Sequence, residues 1–566
     1  MTTPTAPVAD QEGGLTHRQI VTILIGLMMG MFLAALDQTI VATSIRTIAD
    51  DLHGLDKQAW ATTAYLITAT IVTPLYGKLS DIYGRKKFFI AAISIFIVGS
   101  ALSSFSTSMY ELAAFRALQG LGAGGLMSLA LAIIGDIVPP RERAKYQGYF
   151  LAVFGTSSVA GPVIGGFFAG ASSILGVTGW RWVFLVNVPI GLAALVVVSR
   201  TLHLHHHRLD HRIDWTGATL LSVALVPLLI VLEQGQTWGW TSGRAWTAYV
   251  ITVVAAAAFL WQEWRMQEEA IFPLKMFGIK TVGVASAASV IIGVAMFGGL
   301  ASLPLYLQIV KGASPTEAGL EVIPMVAGIM AGSVSSGQII SRTGRYRIFP
   351  IVGSALLTLG LFAFHFIKYD TPLWQTMIVM VFFGLGLGFN FQPLTLAVQN
   401  AVAPQQIGVA TSTATFTRQM GGTIGTAVFL SILFAKVPEK IATSMQALAP
   451  TKDFQTGMAA GLQAPAGSVN HTVAAGIQAA SQNPAAAATS NGVLSDSSFL
   501  NHLDPRLAKP FLVGFSDAMD IVFLVGAAVM VVGFLVMLLL PQVELRKGSA
   551  YSERNQAASE AATAAL

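Results

Sequence analysis

Apolar runs of about 18 residues or more recur from Ile20 almost to the C-terminus, each long enough to cross a hydrocarbon layer of about 30 Å. A chain built this way is an all-α polytopic membrane protein, with most of its mass in lipid. Composition agrees, because 54% of the residues are hydrophobic and 11% charged, where an ordinary soluble domain carries roughly a quarter charged residues. The length of 566 residues, which would otherwise suggest about three or four soluble domains, is taken up by spans.

The pattern predicts spans near 19–46, 60–80, 87–107, 110–136, 145–170, 183–200, 215–233, 245–264, 283–307, 315–340, 348–367, 374–400, 408–434 and 517–540, about fourteen helices in all. Lysine and arginine set their orientation. With Met1 cytoplasmic, the inside loops receive Arg18, the 78–87 cluster, Arg141, Arg143 and Lys145, Arg200, Arg208 and Arg212, Arg265, Lys275 and Lys280, Arg342, Arg345 and Arg347, and Arg546, Lys547 and Arg554. The short outside loops receive one basic residue each: Lys57, Arg181, Arg244, Lys311 and Lys368. Both termini are therefore expected in the cytoplasm. The first run is too long for the core of a cleavable signal and lacks a small-residue cleavage site, so none is expected.

The densest charge cluster is "GKLSDIYGRKKFF" (77–89), and it occurs a second time as "GQIISRTGRYRIF" (337–349). Gly77 matches Gly337, Gly84 matches Gly344, Arg85 matches Arg345, Lys87 matches Arg347 and Phe89 matches Phe349. The offset of 337 − 77 = 260 residues corresponds to about eight spans. Two six-helix halves separated by two additional central helices produce that offset. The expected organisation is a cytoplasmic tail (1–18), an N-terminal half (19–200), a linker carrying two helices (201–282), a C-terminal half (283–540) and a cytoplasmic tail (541–566).

Inside the C-terminal half, segment 436–516 is expected outside the membrane and only partly ordered, with "KIATSMQAL" and "VAAGIQAAS" able to form short amphipathic helices. The histidine-rich 203–211 stretch has ligand types for a metal but lies in a basic loop, and no metal site is expected. The chain has no cysteine, which excludes disulfides and thiolate metal sites.

Five motifs carry a family resemblance. "GKLSDIYGRKK" (77–87) resembles the G-x-L-x-D-x-x-G-R-[RK]-[RK] loop signature of the major facilitator superfamily, and "LAAFRALQGLGAGG" (112–125) is similar to its fourth-span motif built on R-x-x-Q-G. "GTSSVAGPVIGG" (155–166) resembles the fifth-span motif of its exporters, with Gly155, Gly161, Pro162, Gly165 and Gly166 at the motif positions. "LDQTIVATSI" (36–45) and "WRWVFLVNVPIG" (180–191) are similar to motifs of its fourteen-span drug:proton antiporters. The resemblance implies a major facilitator fold and covers nearly the whole membrane portion.

Physical chemistry gives these residues work. Gly77 and Gly84 permit close helix approach and a tight turn. Asp81 can then pair with Arg85 or lie against the N-terminal dipole of a helix in the other half, and Asp136 is a second acid within reach of Arg85. The resemblance implies that these charges latch the inner mouth and break apart when the carrier opens inward. The second copy places Ser341 where the first has Asp81, which weakens any equivalent latch. In span 5, Pro162 removes a helical hydrogen bond and the glycines remove side chains, so the helix can bend against a neighbour.

Asp37 and Arg116 lie at similar depth, about 27 Å along span 1 and about 9 Å from the outer end of span 4 at 1.5 Å per residue. The resemblance places spans 1 and 4 beside one cavity, so the two charges can pair and Asp37 can carry the coupled proton. Gln119, Glu321, Asn390, Gln392 and Arg418 are the candidate cavity residues, and Glu317 joins Glu321 as a lure for a cationic substrate. The expected protein is not an enzyme and uses no cofactor beyond a proton gradient. It sits in the inner membrane and exports hydrophobic, cationic or other amphipathic compounds. Its partners are that small-molecule substrate, protons and membrane lipids, with no nucleic acid. A dedicated exporter of one lipid or natural product is the alternative, and a sensor or enzyme on the same scaffold is a third reading.

Overall fold

The computed structural model describes residues 16–54, 57–202, 213–267, 269–482, 498–546, 548–549 and 551–553. The histidine stretch at 203–211, most of the 1–18 tail and most of the 541–566 tail lie outside the described residues.

Five long helices come first: α1 (His17–Asp51), α2 (Gln58–Tyr83), α3 (Arg85–Ser104), α4 (Met109–Ile137) and α5 (Pro140–Gly170). A two-stranded hairpin, Ser173–Ile174 with Val177–Thr178, then leads into α6 (Trp182–Leu185) and α7 (Asn187–Thr201). Next come α8 (Trp215–Trp238), α9 (Gly243–Met266), the single turn α10 (Leu274–Phe277), α11 (Lys280–Ile309), α12 (Pro315–Glu321) and α13 (Ile323–Thr343). The chain finishes with α14 (Ile348–Phe364), α15 (Leu373–Ala401), α16 (Ile407–Leu448), α17 (Lys452–Gln463), α18 (Val469–Gln482) and α19 (Pro505–Leu538).

Among the described residues twelve helical segments are long and apolar enough to cross a membrane. The threonine-bearing α2 and the 17-residue α14 pack in the same bundle and bring the number to fourteen. Helix starts follow local chemistry. Thr16 and Gln19 form a reciprocal cap on α1, as do Ser314 and Glu317 on α12, so in each case two amides that the helix cannot satisfy find a partner. Helix ends explain the repeated loop. Gly84 closes α2 at φ 102° and Gly344 closes α13 at φ 71°, backbone conformations that a side chain disfavours.

Packing follows the order of the chain. Two apolar clusters draw on residues up to Leu202, and one large cluster runs from Met276 to Leu545. A fourth sews α8 and α9 onto α2 through Ile67, Ile71, Leu221, Leu225, Phe259 and Phe272. The starts of α1 and α5 meet at one end of the bundle, where Tyr146 and His17 are 2.9 Å apart. The segment after α19 returns to the same end, where Tyr346 donates to the Pro541 carbonyl at 2.9 Å and Asn400 to that of Glu544 at 3.0 Å. It is called the termini end below.

Within segment 436–516 the structure describes 436–482 and 498–516, and 483–497 lie outside the described residues. "KIATSMQAL" does not form a separate helix but continues α16, a 42-residue helix that passes through Pro438 and ends at Leu448, and α17 and α18 follow within the segment. Ile441, Met445, Phe454, Ala474, Leu507 and Phe511 form a small apolar core between these helices and α19, which starts at Pro505 rather than near 517. Amphipathic helices that cover one another's apolar faces need no further support.

Candidate functional site

At mid-bundle Asp37 of α1 is fully buried and holds three side chains from two other helices. Arg116 of α4 ion-pairs with one carboxylate oxygen. The other accepts from Gln119 of α4 and Asn187 of α7, each at 2.8 Å. Arg116 also donates to Gln119 at 2.6 Å and lies over the Tyr65 ring of α2, 4.1 Å from its centroid. A carboxylate that accepts from three donors shows the bonding pattern of the ionised form, since a protonated carboxyl must itself donate. Gln119, expected to line a cavity, instead spends both ends of its amide inside this cluster. Asn187, which lies in the quoted 180–191 motif, was not singled out by sequence, although a lone amide at membrane depth is itself a sign of an inter-helix partner.

At the termini end Arg85 lies between Asp81 and Asp136, and all three are buried. Its Nε donates to Asp136 at 2.8 Å. Asp81 also reaches the opposite half, where its carboxylate accepts from the Val409 amide in the first turn of α16 at 2.9 Å. Both sequence options for Asp81, an arginine and a helix N-terminus, are thus occupied together. The approach depends on Gly77 and Gly408: a Cβ on Gly77 would stand 2.0 Å from the Ser412 hydroxyl, and one on Gly408 would stand 2.2 Å from the Arg85 guanidinium. A second tie crosses here, from Arg143 of α5 to the Gln399 amide oxygen of α15 at 3.1 Å. Burial pushes the Arg143 guanidinium down to about 9 while Asp136 pulls it up, which leaves it charged at neutral pH. Among the described residues the loop's second copy makes no such latch. Ser341 is only half-buried and Arg345 is exposed.

The α5 motif faces two ways. Toward α1, a Cβ on Gly161 would stand 2.0 Å from the Thr39 hydroxyl, and Ser44 donates to the Gly165 carbonyl at 3.1 Å. Toward the other half, a Cβ on Gly155 would meet Val326 at 2.2 Å, and Pro162 packs on Gly319 of α12. Gly166 has room, with Thr316 at 3.9 Å from a built Cβ.

The remaining candidates scatter. Glu317 uses its carboxylate to accept from the Ser314 amide at 2.8 Å, and Glu321 is half-buried with one oxygen unpaired. Asn390 donates to the Gly386 carbonyl one turn back at 2.7 Å, and Gln392 is 1% exposed. Arg418 of α16 is buried with its guanidinium carbon 3.7 Å from the centroid of the Phe391 ring of α15. Sequence also missed Asp214 and Glu263, buried together where α8 starts and α9 ends. Among the described residues no group of three or more metal-ligating side chains comes together.

Residues 27–426 match the family profile described as Major Facilitator Superfamily. Over 545 residues the chain is 34% identical to an uncharacterized MFS-type transporter of Mycobacterium tuberculosis, covering 96% of this chain and 72% of that one. It is 37% identical over 412 residues to Multidrug resistance protein 3 of Bacillus subtilis, covering 72% of this chain and 78% of the relative. Among solved structures, the proton:xylose symporter XylE bound to 6-bromo-6-deoxy-D-glucose superposes with a TM-score of 0.58 at 14% identity, covering 95% of this chain and 99% of the other. That likeness is one of fold.

Proposed function

This chain belongs to the major facilitator superfamily, and on that premise we propose that it exports amphipathic compounds across the cytoplasmic membrane in exchange for protons, by alternating access. The family and fold are those of transporters, not enzymes. The name of the Bacillus subtilis relative supports multidrug efflux, and the excess of basic residues in alternate loops supports cytoplasmic termini.

The observation that carries the reading is the Asp37 cluster. A buried carboxylate pairing with a buried arginine at membrane depth is costly to separate and costly to protonate without rearrangement. Protonation of Asp37 releases Arg116, or movement of Arg116 makes Asp37 take a proton, and each event biases the other. Joined to helix motion, that exchange is the coupling an antiporter needs. The Asp81–Arg85–Asp136 network and its Val409 contact then act as the gate at the cytoplasmic end, and their joining of the two halves supports that role.

The test compares Asp37→Asn with the unaltered protein in proteoliposomes. Efflux driven by a proton gradient should be lost while exchange of substrate without a gradient persists. Normal gradient-driven efflux in the variant removes Asp37 from the proton path.

A further inference from the structure

Two of the buried charge groups are neutralised within the protein: Asp37 by Arg116, and Arg85 by Asp81 and Asp136. Arg418 is different. It lies 418 − 407 = 11 residues into α16, about 16 Å from the termini end of that helix, and its side chain is 5% exposed. Among the described residues no carboxylate ion-pairs with it, and its recorded side-chain contact is the face of Phe391 at 3.7 Å. A ring face offsets only part of the cost of a buried guanidinium, so the site favours an anion.

Stacking on Phe391 uses the flat face of the guanidinium, whereas its five N–H donors lie in the plane and form a fork that suits an oxyanion. The next residue, Gln419, accepts from Thr73 of α2 at 3.3 Å, so this turn of α16 lies at the junction of the two halves. A compound held between the halves meets the arginine there. The acid pair that sequence offered to a cation is weakened, because Glu317 is committed to its helix cap.

We propose that Arg418 and Phe391 bind the carboxylate, sulfonate or phosphate of an amphipathic substrate, the oxyanion on the guanidinium fork and the apolar body beside the ring. This rests on the export reading and narrows its substrate class to compounds that carry an oxyanion.

The test uses the full chain and two probe pairs that differ in charge but hardly in shape: naphthaleneacetate against naphthaleneacetamide, and dodecanoate against dodecanamide. Binding to purified protein, measured by titration calorimetry, should favour each acid by roughly tenfold or more, the size of one charge-assisted contact. Arg418→Gln should erase the preference and Arg418→Lys should keep part of it. If Arg418→Gln does not fold, Phe391→Leu should weaken binding of the acids in its place. Equal binding of acid and amide by the unaltered protein, or an unchanged preference in Arg418→Gln, overturns the proposal. A flux measurement separates the two readings. Acid-selective binding without flux defeats export and leaves this site standing, whereas proton-driven flux of both compounds with no preference does the reverse. Adding phosphatidylglycerol to phosphatidylcholine bilayers identifies the natural source: competition with the acids points to a lipid phosphate, and none points to a soluble anion.

Discussion

Asp81 and Val409 are 328 residues apart in sequence, and a hydrogen bond of 2.9 Å from the Val409 amide to the Asp81 carboxylate joins the two halves of the bundle. Because Arg85 holds the same carboxylate, one side chain ties a loop of the first half to a helix start of the second. Asp81→Asn keeps the volume and loses the charge. A hydrogen bond to a charged group contributes about 1.5–3 kcal/mol, so transport should fall on the order of tenfold or more while expression is unchanged. Transport at the original rate would reduce the loop to an orientation anchor.

The same contact can be opened from the opposite side. A methyl on Gly77 would stand 2.0 Å from the Ser412 hydroxyl and 2.8 Å from the Gly408 carbonyl, and the carbonyl belongs to backbone that cannot rotate away. Gly77→Ala should push α2 and α16 apart. The chain has no cysteine, so a cysteine placed at Val409, where the side chain is 4% exposed, reports alone. Its labelling by maleimide should be faster in Gly77→Ala, and an unchanged rate would mean that this end tolerates the methyl without opening.

Much of this frame was legible. Spans follow from apolar length, a local property, whereas the pairing of Asp37 with Arg116 needed the family resemblance, which sets spans 1 and 4 beside one cavity, as well as their similar depth and the cost of isolated charge in lipid. Partners set by lateral packing were not legible. Asn187 reaches Asp37 across 150 residues, and nothing in the period of α7 names its neighbour. Sequence ended span 13 near 434, where the apolar run gives way to charged residues such as Lys436 and Glu439. The helix continues because Ile441 and Met445 pack against the helices that follow, a gain no local rule contains. Asp214 and Glu263 read as ordinary charges at span ends until α8 and α9 are folded together.

Close packing of α5 gives a graded set of substitutions. Gly161→Ala drives a methyl to 2.0 Å from the Thr39 hydroxyl and 3.0 Å from its backbone, whereas Gly166→Ala meets nothing nearer than 3.9 Å. Overpacking of the first kind costs about 1–3 kcal/mol. Melting temperature and transport should both fall in Gly161→Ala and stay near the original in Gly166→Ala. Equal behaviour of the two variants would show that the bend at Pro162, not the closeness of α1, is what the motif supplies.

The last prediction concerns the two additional helices. Asp214 caps α8 by accepting from the Gly217 amide at 2.7 Å, and it also accepts from Gln262 at 2.9 Å. Glu263 accepts from the Phe272 amide at 2.7 Å. Each acid keeps one buried oxygen without a hydrogen bond, and both oxygens face one spot, 2.4 Å and 3.1 Å from where a Cβ on Gly217 would stand. Two buried carboxyl groups so placed repel unless a cation offsets them. Lys78 is 8% exposed on the α2 face that continues from Ile67, Ile71 and Leu75, the face on which α8 packs, and is the cation expected to offset them. It also belongs to the 77–87 loop, so such a pairing would link α8 and α9 to the proposed gate. Lys78→Met should therefore lower the melting temperature, and adding Glu263→Gln should restore part of the loss. A double-mutant cycle should give a coupling of about 0.5–3 kcal/mol, the range found for residues in one charge network. Strictly additive losses would mean that the lysine has its partner elsewhere and that α8 and α9 are held to α2 by apolar packing alone.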